Sequence, residues 1–168
     1  MLPIADSILR VLNFMFLTIV LGLTGSLIHG QDHSNSRVNF ALFASVFGLV
    51  FSSFYGLLAN FVEFLAWPVI LVALDFLNFV FTFSAATALA VGTRTHSCSN
   101  QSYLDSNSIT QGSKDRCRKA QASTAFLYFS FFTFIGSGAI SIFSLLNGGA
   151  FGSRRPRKSA GVPTISTA

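Results

Sequence analysis

Asp75 lies eight residues beyond Trp67 in an apolar run, with Asn78 three and Thr82 seven positions further on. At helical spacing these three side chains share one face. The carboxyl group would sit about 12 Å into a hydrocarbon layer at 1.5 Å per residue. A charge at that depth is costly, so it is a candidate for proton or ligand chemistry. The plainer reading is polar glue between helices, hydrogen-bonded by neighbouring hydroxyls and amides. Matching depths along antiparallel helices brings Ser52 and Ser53 to the level of Asp75 and Ser137 and Ser141 nearby, with Asn13 and Thr18 on either side. A proton relay needs a second ionisable group, and none is expected inside the bundle.

Cys98 and Cys117 are the two cysteines, 19 positions apart in one polar stretch. A disulfide between them would be oxidised outside the cytosol and would stabilise the loop by about 3 kcal/mol in the chain-entropy model. Two free thiols are the alternative. A zinc site with His96 has only three ligands where structural zinc takes four, so no metal is expected. Asn100-Gln101-Ser102 in the same stretch is a glycosylation sequon. No catalytic constellation is present: there is no phosphate-binding glycine loop, no His-Glu-x-x-His and no Gly-x-Ser-x-Gly. His29, His33 and His96 have no evident acid–base partner. No enzyme, no cofactor and no nucleic-acid partner is therefore expected.

The elements that hold these groups follow from the charges. Of 168 residues, 51% are hydrophobic, 20 are Phe and only 10% are charged, where soluble domains carry about 25%. Mean hydropathy is +0.60. These values exclude a soluble globule and a disordered chain. No charged residue lies between Arg10 and Asp32, between Arg37 and Glu63, or between Lys119 and Arg154, and only Asp75 lies between Glu63 and Arg94. Each gap is long enough for a helix to cross about 30 Å of hydrocarbon. Residues such as Val69-Ile70-Leu71-Val72-Ala73-Leu74 do not alternate as barrel strands do. The expected fold is an all-α membrane protein, a bundle of four transmembrane helices over residues 1–146. The spans are placed at about 8–28, 38–59, 67–91 and 121–146. A polar loop covers 93–119, a tight turn 60–66 and a tail 147–168. Pro68 suits the first turn of a helix and Trp67 an interface. The first span lacks the charge pattern and cleavage site of a signal peptide.

Four spans place both termini on one side. Basic residues divide five against six between the two sides (Arg10, Arg154, Arg155, Arg157 and Lys158 against Arg37, Arg94, Lys114, Arg116, Arg118 and Lys119), so charge does not set orientation. The cysteine pair and the sequon do, placing the long loop outside and both termini in the cytosol. Gly22 and Ser26, Gly48, Ser52 and Gly56, and Gly136 and Gly138 allow close helix packing, within the bundle or in a homo-oligomer. Arg154, Arg155, Arg157 and Lys158 in the tail suit an anionic inner leaflet at about 1 kcal/mol each.

Several stretches resemble the MARVEL-domain family of four-span membrane proteins. They are Ala5-Asp6-x-x-Leu9-Arg10-x-x-Asn13-Phe14, Leu65-Ala66-Trp67-Pro68, Leu74 through Phe83, His96-Ser97-Cys98, Arg116-Cys117-Arg118, Ala125 through Ser130, and Gly161 through Ser166. The likeness runs nearly end to end. It implies a non-enzymatic organiser of plasma-membrane microdomains, associated with eisosomes and their proteins. It also implies responsiveness to sphingolipids and a link to export of proteins without signal peptides. The alternative is a small transporter or channel using Asp75 and Asn78.

Overall fold

The computed structural model describes residues 2–55, 58, 68–94 and 96–148. The described residues form helices and connecting turns. They are α1 (Leu2–His29), α2 (Ser36–Phe47), a π-helical continuation of α2 (Gly48–Phe54), α3 (Pro68–Thr93), the short α4 (Gln101–Ser106) and α5 (Lys114–Gly148). Three helical stretches are long and apolar enough to cross a membrane, Ile4–His29, Val69–Thr93 and Lys114–Phe143, while Ser36–Ser52 is apolar but shorter. The expected turn at 60–66, Trp67, Gly56 and the tail cations Arg154, Arg155, Arg157 and Lys158 lie outside the described residues.

Local chemistry sets the helix ends. The Asn35 side chain accepts from the Arg37 amide at 3.0 Å to open α2, and the Asn100 side chain accepts from the Tyr103 amide at 3.4 Å to open α4. Such side chains satisfy amides that have no partner within the helix. Arg94, with φ 48°, turns the chain out of α3 in the left-handed conformation common after helix ends. Two helices extend beyond their expected spans. α1 starts at Leu2 rather than near Ile8, so Asp6 is inside the helix together with Arg10. α5 starts at Lys114 rather than Gln121, so Arg116, Cys117 and Lys119 are helical.

α5 packs on both α1 and α3, and α2 packs on both from the opposite side. The start of α1, the start of α3 and the end of α5 meet at one end of the bundle. Each seam repeats at alternating steps of three and four. α1 buries Asp6, Arg10, Asn13, Leu17, Val20, Thr24 and Leu27, α2 buries Val38, Ala41, Ser45, Gly48 and Ser52, and α3 buries Asp75, Asn78, Thr82, Ala85 and Leu89. This is the 3.5-residue period of interlocking helices. The outer faces carry Ile8, Phe14, Met15, Phe43, Phe76, Phe132 and Phe143, all exposed. A soluble protein buries such residues. Here charged and polar side chains are buried beside an aliphatic core while many large apolar ones face outward, which suits an apolar solvent.

A Cβ on Gly48 would lie 2.6 Å from Leu17 Cδ1 and 3.3 Å from Asn78 Oδ1. Glycine therefore lets α2 approach α1 and α3 at one point. Gly22 faces outward, and neither it nor Gly138 would meet anything within 4 Å. Among the described residues the packing expected at these two positions is not made. Gly48→Val is expected to lower stability by about 1–3 kcal/mol through overpacking, and Gly22→Val to change it little. Thermal unfolding of the purified variants in detergent checks the contrast.

Candidate functional site

The polar half of the bundle is organised by a residue that the charge count places at the membrane edge. Arg10 is inside the bundle, 1% exposed. Its Nε donates to Asp6 Oδ2 at 2.8 Å, one turn back on α1. Its two terminal nitrogens reach Asp75 on α3 as a fork, Nη1 to Oδ1 at 3.3 Å and Nη2 to Oδ2 at 3.2 Å. Nη1 also donates to the Ser52 carbonyl at 3.1 Å and lies 3.3 Å from Ser52 Oγ. From α5, Ser137 Oγ donates to Asp6 Oδ1 at 2.7 Å and Ser141 Oγ to Asp75 Oδ2 at 3.1 Å. All four carboxylate oxygens accept hydrogen bonds. One guanidinium thus ties α1, the end of α2 and α3 together, and two serines attach α5.

The expectation that Asp75 has no ionisable partner is corrected. Arg10 and Asp6 both belong to its cluster, because α1 begins early enough to carry them into the interior. Asn78 and Thr82 lie on the same α3 face but outside the cluster. Asn78 Nδ2 donates to the Leu74 carbonyl at 2.9 Å, and Thr82 Oγ1 to the Asn78 carbonyl at 2.7 Å. Asn13 is buried and accepts from the Thr133 hydroxyl. Thr18 instead faces outward, bonded to the Phe14 carbonyl, so it does not flank Asp75. Ser53 is helical, and its side chain is outside the description. Asp6, Arg10 and Thr133 are not expected at this site, whereas Asn13 is placed beside Asp75 from the sequence. The signal available was the step of Asp6, Arg10, Asn13 and Leu17 at four, three and four.

The opposite end is closed by the stretch expected to be a plain loop. A disulfide joins Cys98 to Cys117, with Cα atoms 5.8 Å apart. Tyr103 donates to the Thr93 carbonyl, and burial raises the pKa of its phenol. Asn107 Nδ2 donates to the Gly92 carbonyl at 2.8 Å. Arg116 Nη1 donates to the Leu27 and Gly30 carbonyls at 2.9 and 2.8 Å, and Nε to the Ile109 carbonyl at 3.2 Å. A cation at the end of α1 also meets the negative end of the helix dipole. Lys119 Nζ reaches Ser26 Oγ at 3.0 Å, which accounts for Ser26. A Cβ on Gly136 would lie 3.3 Å from Leu9 Cδ1, so α5 approaches α1 closely there. Asn100 is exposed and serves as the α4 cap. Among the described residues no group of three or more His, Cys, Asp or Glu could hold a metal.

A helical bundle that buries an ion cluster and exposes large apolar side chains on its outer faces is a membrane protein, and residues 3–140 match the family model MARVEL, described as a membrane-associating domain. The chain belongs to this family. It is 56% identical over 171 residues to non-classical export protein 2 of Saccharomyces cerevisiae, covering 99% of each chain. It is 63% identical over 168 residues to non-classical export protein 102 of Candida albicans, again covering 99% of each. A Schizosaccharomyces pombe protein named non-classical export protein 2 homolog is 35% identical over 133 residues, 77% of this chain and 72% of that one. No solved structure matches the chain.

Arg116→Met removes the donor to three carbonyls and is expected to cost about 3 kcal/mol. Ser137→Ala removes one donor to a carboxylate and is expected to cost about 1–2 kcal/mol. Denaturant titration in a fixed detergent, followed by helical circular dichroism, measures both.

Proposed function

We propose that this chain is a non-enzymatic organiser of plasma-membrane microdomains. It crosses the bilayer four times with both termini in the cytosol, sits in eisosome-type domains and responds to sphingolipids. Its link to export of proteins without signal peptides is suggested by the names of its relatives. The lipids of a sphingolipid-rich domain, the anionic inner leaflet and other proteins of the domain are its partners, and copies of the chain associate there. Among the described residues, α2 and its π-helical continuation lie in the stretch assigned to the second crossing, 38–59.

The observation that carries this reading is the saturation of the ion cluster. A transport site must leave ligand-binding groups available in one state, and here every oxygen of Asp6 and Asp75 is engaged by Arg10, Ser137 or Ser141. The cluster fixes helices, leaving the apolar outer face and the basic tail to meet the membrane. The cysteine bond supports an outer location for residues 93–119, since disulfides persist in oxidising compartments.

Live-cell imaging of the tagged chain tests the reading. Patches at the plasma membrane that redistribute on sphingolipid depletion are expected. An even distribution, indifferent to depletion, contradicts it. In liposomes the chain is expected to carry no proton or cation flux. A flux abolished by Asp75→Asn would favour the transporter instead.

A further inference from the structure

Between the first half of α3 and the last half of α5 lies an open cavity of about 610 Å³, lined by residues including Ala73, Phe76, Phe79, Phe134, Gly138 and Ile142. It opens on the outer face, where Phe76 and Ile142 are exposed. Asp75 closes its inner wall, but both carboxylate oxygens are committed to Arg10 and Ser141. Gly138 lies on its wall with open space in front of it: a Cβ there would meet nothing within 4 Å.

We propose that this groove seats the hydrocarbon chain of a membrane lipid. The proposal rests on the membrane-spanning part of the function proposed above and names where one lipid partner touches the bundle. Complementarity decides the chemistry of the occupant. The walls are carbon and the one charged residue is already neutralised from inside, so a headgroup gains nothing there and an alkyl chain does. Size decides against a helix from a second copy. From Val69 to Phe79 the groove runs about 15 Å at 1.5 Å per residue. Its volume of about 610 Å³ over that length leaves a mean section of about 40 Å². A helix 10–12 Å across needs about 80–110 Å². The lining is also far smaller than the roughly 800 Å² per partner that a stable interface buries. Water is disfavoured because nothing in the walls is left to bond it. A seated chain packs against Phe79 and Phe134 directly behind the ion cluster, so chain length and saturation are felt where α3 and α5 are tied.

The full-length protein in phosphatidylcholine nanodiscs, doped with a phosphatidylcholine bearing a diazirine on one acyl chain, supplies the test. After irradiation, peptide mass spectrometry is expected to find adducts concentrated on Phe76, Phe79 and Ile142. Ile8 and Val11, exposed on α1 at the level of Arg10, should carry several-fold fewer. Gly138→Leu fills the groove without a clash and is expected to lower the groove adducts several-fold while leaving those on α1 and the thermal midpoint unchanged. Equal labelling of all outer faces, or groove labelling indifferent to Gly138→Leu, overturns the proposal. In a second arm, benzoylphenylalanine at Phe76 that crosslinks to another copy or to residues 149–168 also overturns it. Patchy, sphingolipid-sensitive imaging with no groove labelling would reject this site alone, whereas groove labelling in a protein spread evenly in cells would reject the domain reading alone.

Discussion

A single guanidinium shared by two carboxylates holds one end of this bundle. Arg10 bridges Asp6 on its own helix and Asp75 on α3, and the same group reaches the backbone at Ser52. Removing such charges from water costs several kcal/mol per ion, recovered only when geometry and extra hydrogen bonds are good. Here the fork onto Asp75 and the two α5 serines supply those bonds. The consequence is a strong asymmetry. An intact cluster need not stabilise more than a well-packed apolar core would, but without Arg10 two carboxylates are left in an apolar interior with no cation, whereas without Asp75 the guanidinium keeps Asp6. The ions therefore specify which helices meet and at what height.

The other end is fixed differently. Arg116 neutralises the carbonyl end of α1 and the disulfide fastens the α3–α5 connection onto α5. Between the two ends lie small and aliphatic residues, among them Ala41, Ala44, Ala85, Ala86, Leu89 and Leu127, which let helices approach without polar bonds. Hydrocarbon outside gives no hydrophobic drive to associate, so packing and polar contacts must hold the helices together. A scaffold locked at both ends and apolar outside is what the proposed role in arranging lipids and neighbours calls for.

Much of this was legible in the sequence. Gaps between charges located the helices, because a charge is costly in hydrocarbon wherever it lacks a partner. Matching Asp75 with Ser52, Ser137 and Ser141 by depth needed only helix rise and antiparallel order. Arg10 was not legible for a physical reason. A cation at the third position of the span placed at 8–28 looks like a membrane-edge charge until its acids are known, and Asp6 precedes that span while Asp75 is 65 residues away. Arg116 was hidden in the same way, counted among loop cations although α5 starts early enough to bury it. The outward aspect of Gly22 and Gly138 was equally hidden, since small-residue spacing names a helix face without naming what covers it.

The central claim is that Arg10 and Asp75 act as one unit. Unfolding free energies of Arg10→Leu, Asp75→Leu and the double variant, measured in one detergent against the unaltered chain, test it most directly. Arg10→Leu should cost about 3–5 kcal/mol, as breaking a buried pair does, and Asp75→Leu less, since Arg10 keeps Asp6. The double variant should still cost clearly less than the two single costs summed, since Asp75 is no longer left facing an empty guanidinium site and Asp6 is the one carboxylate remaining. Costs that simply add, or single variants as stable as the parent, would contradict the account.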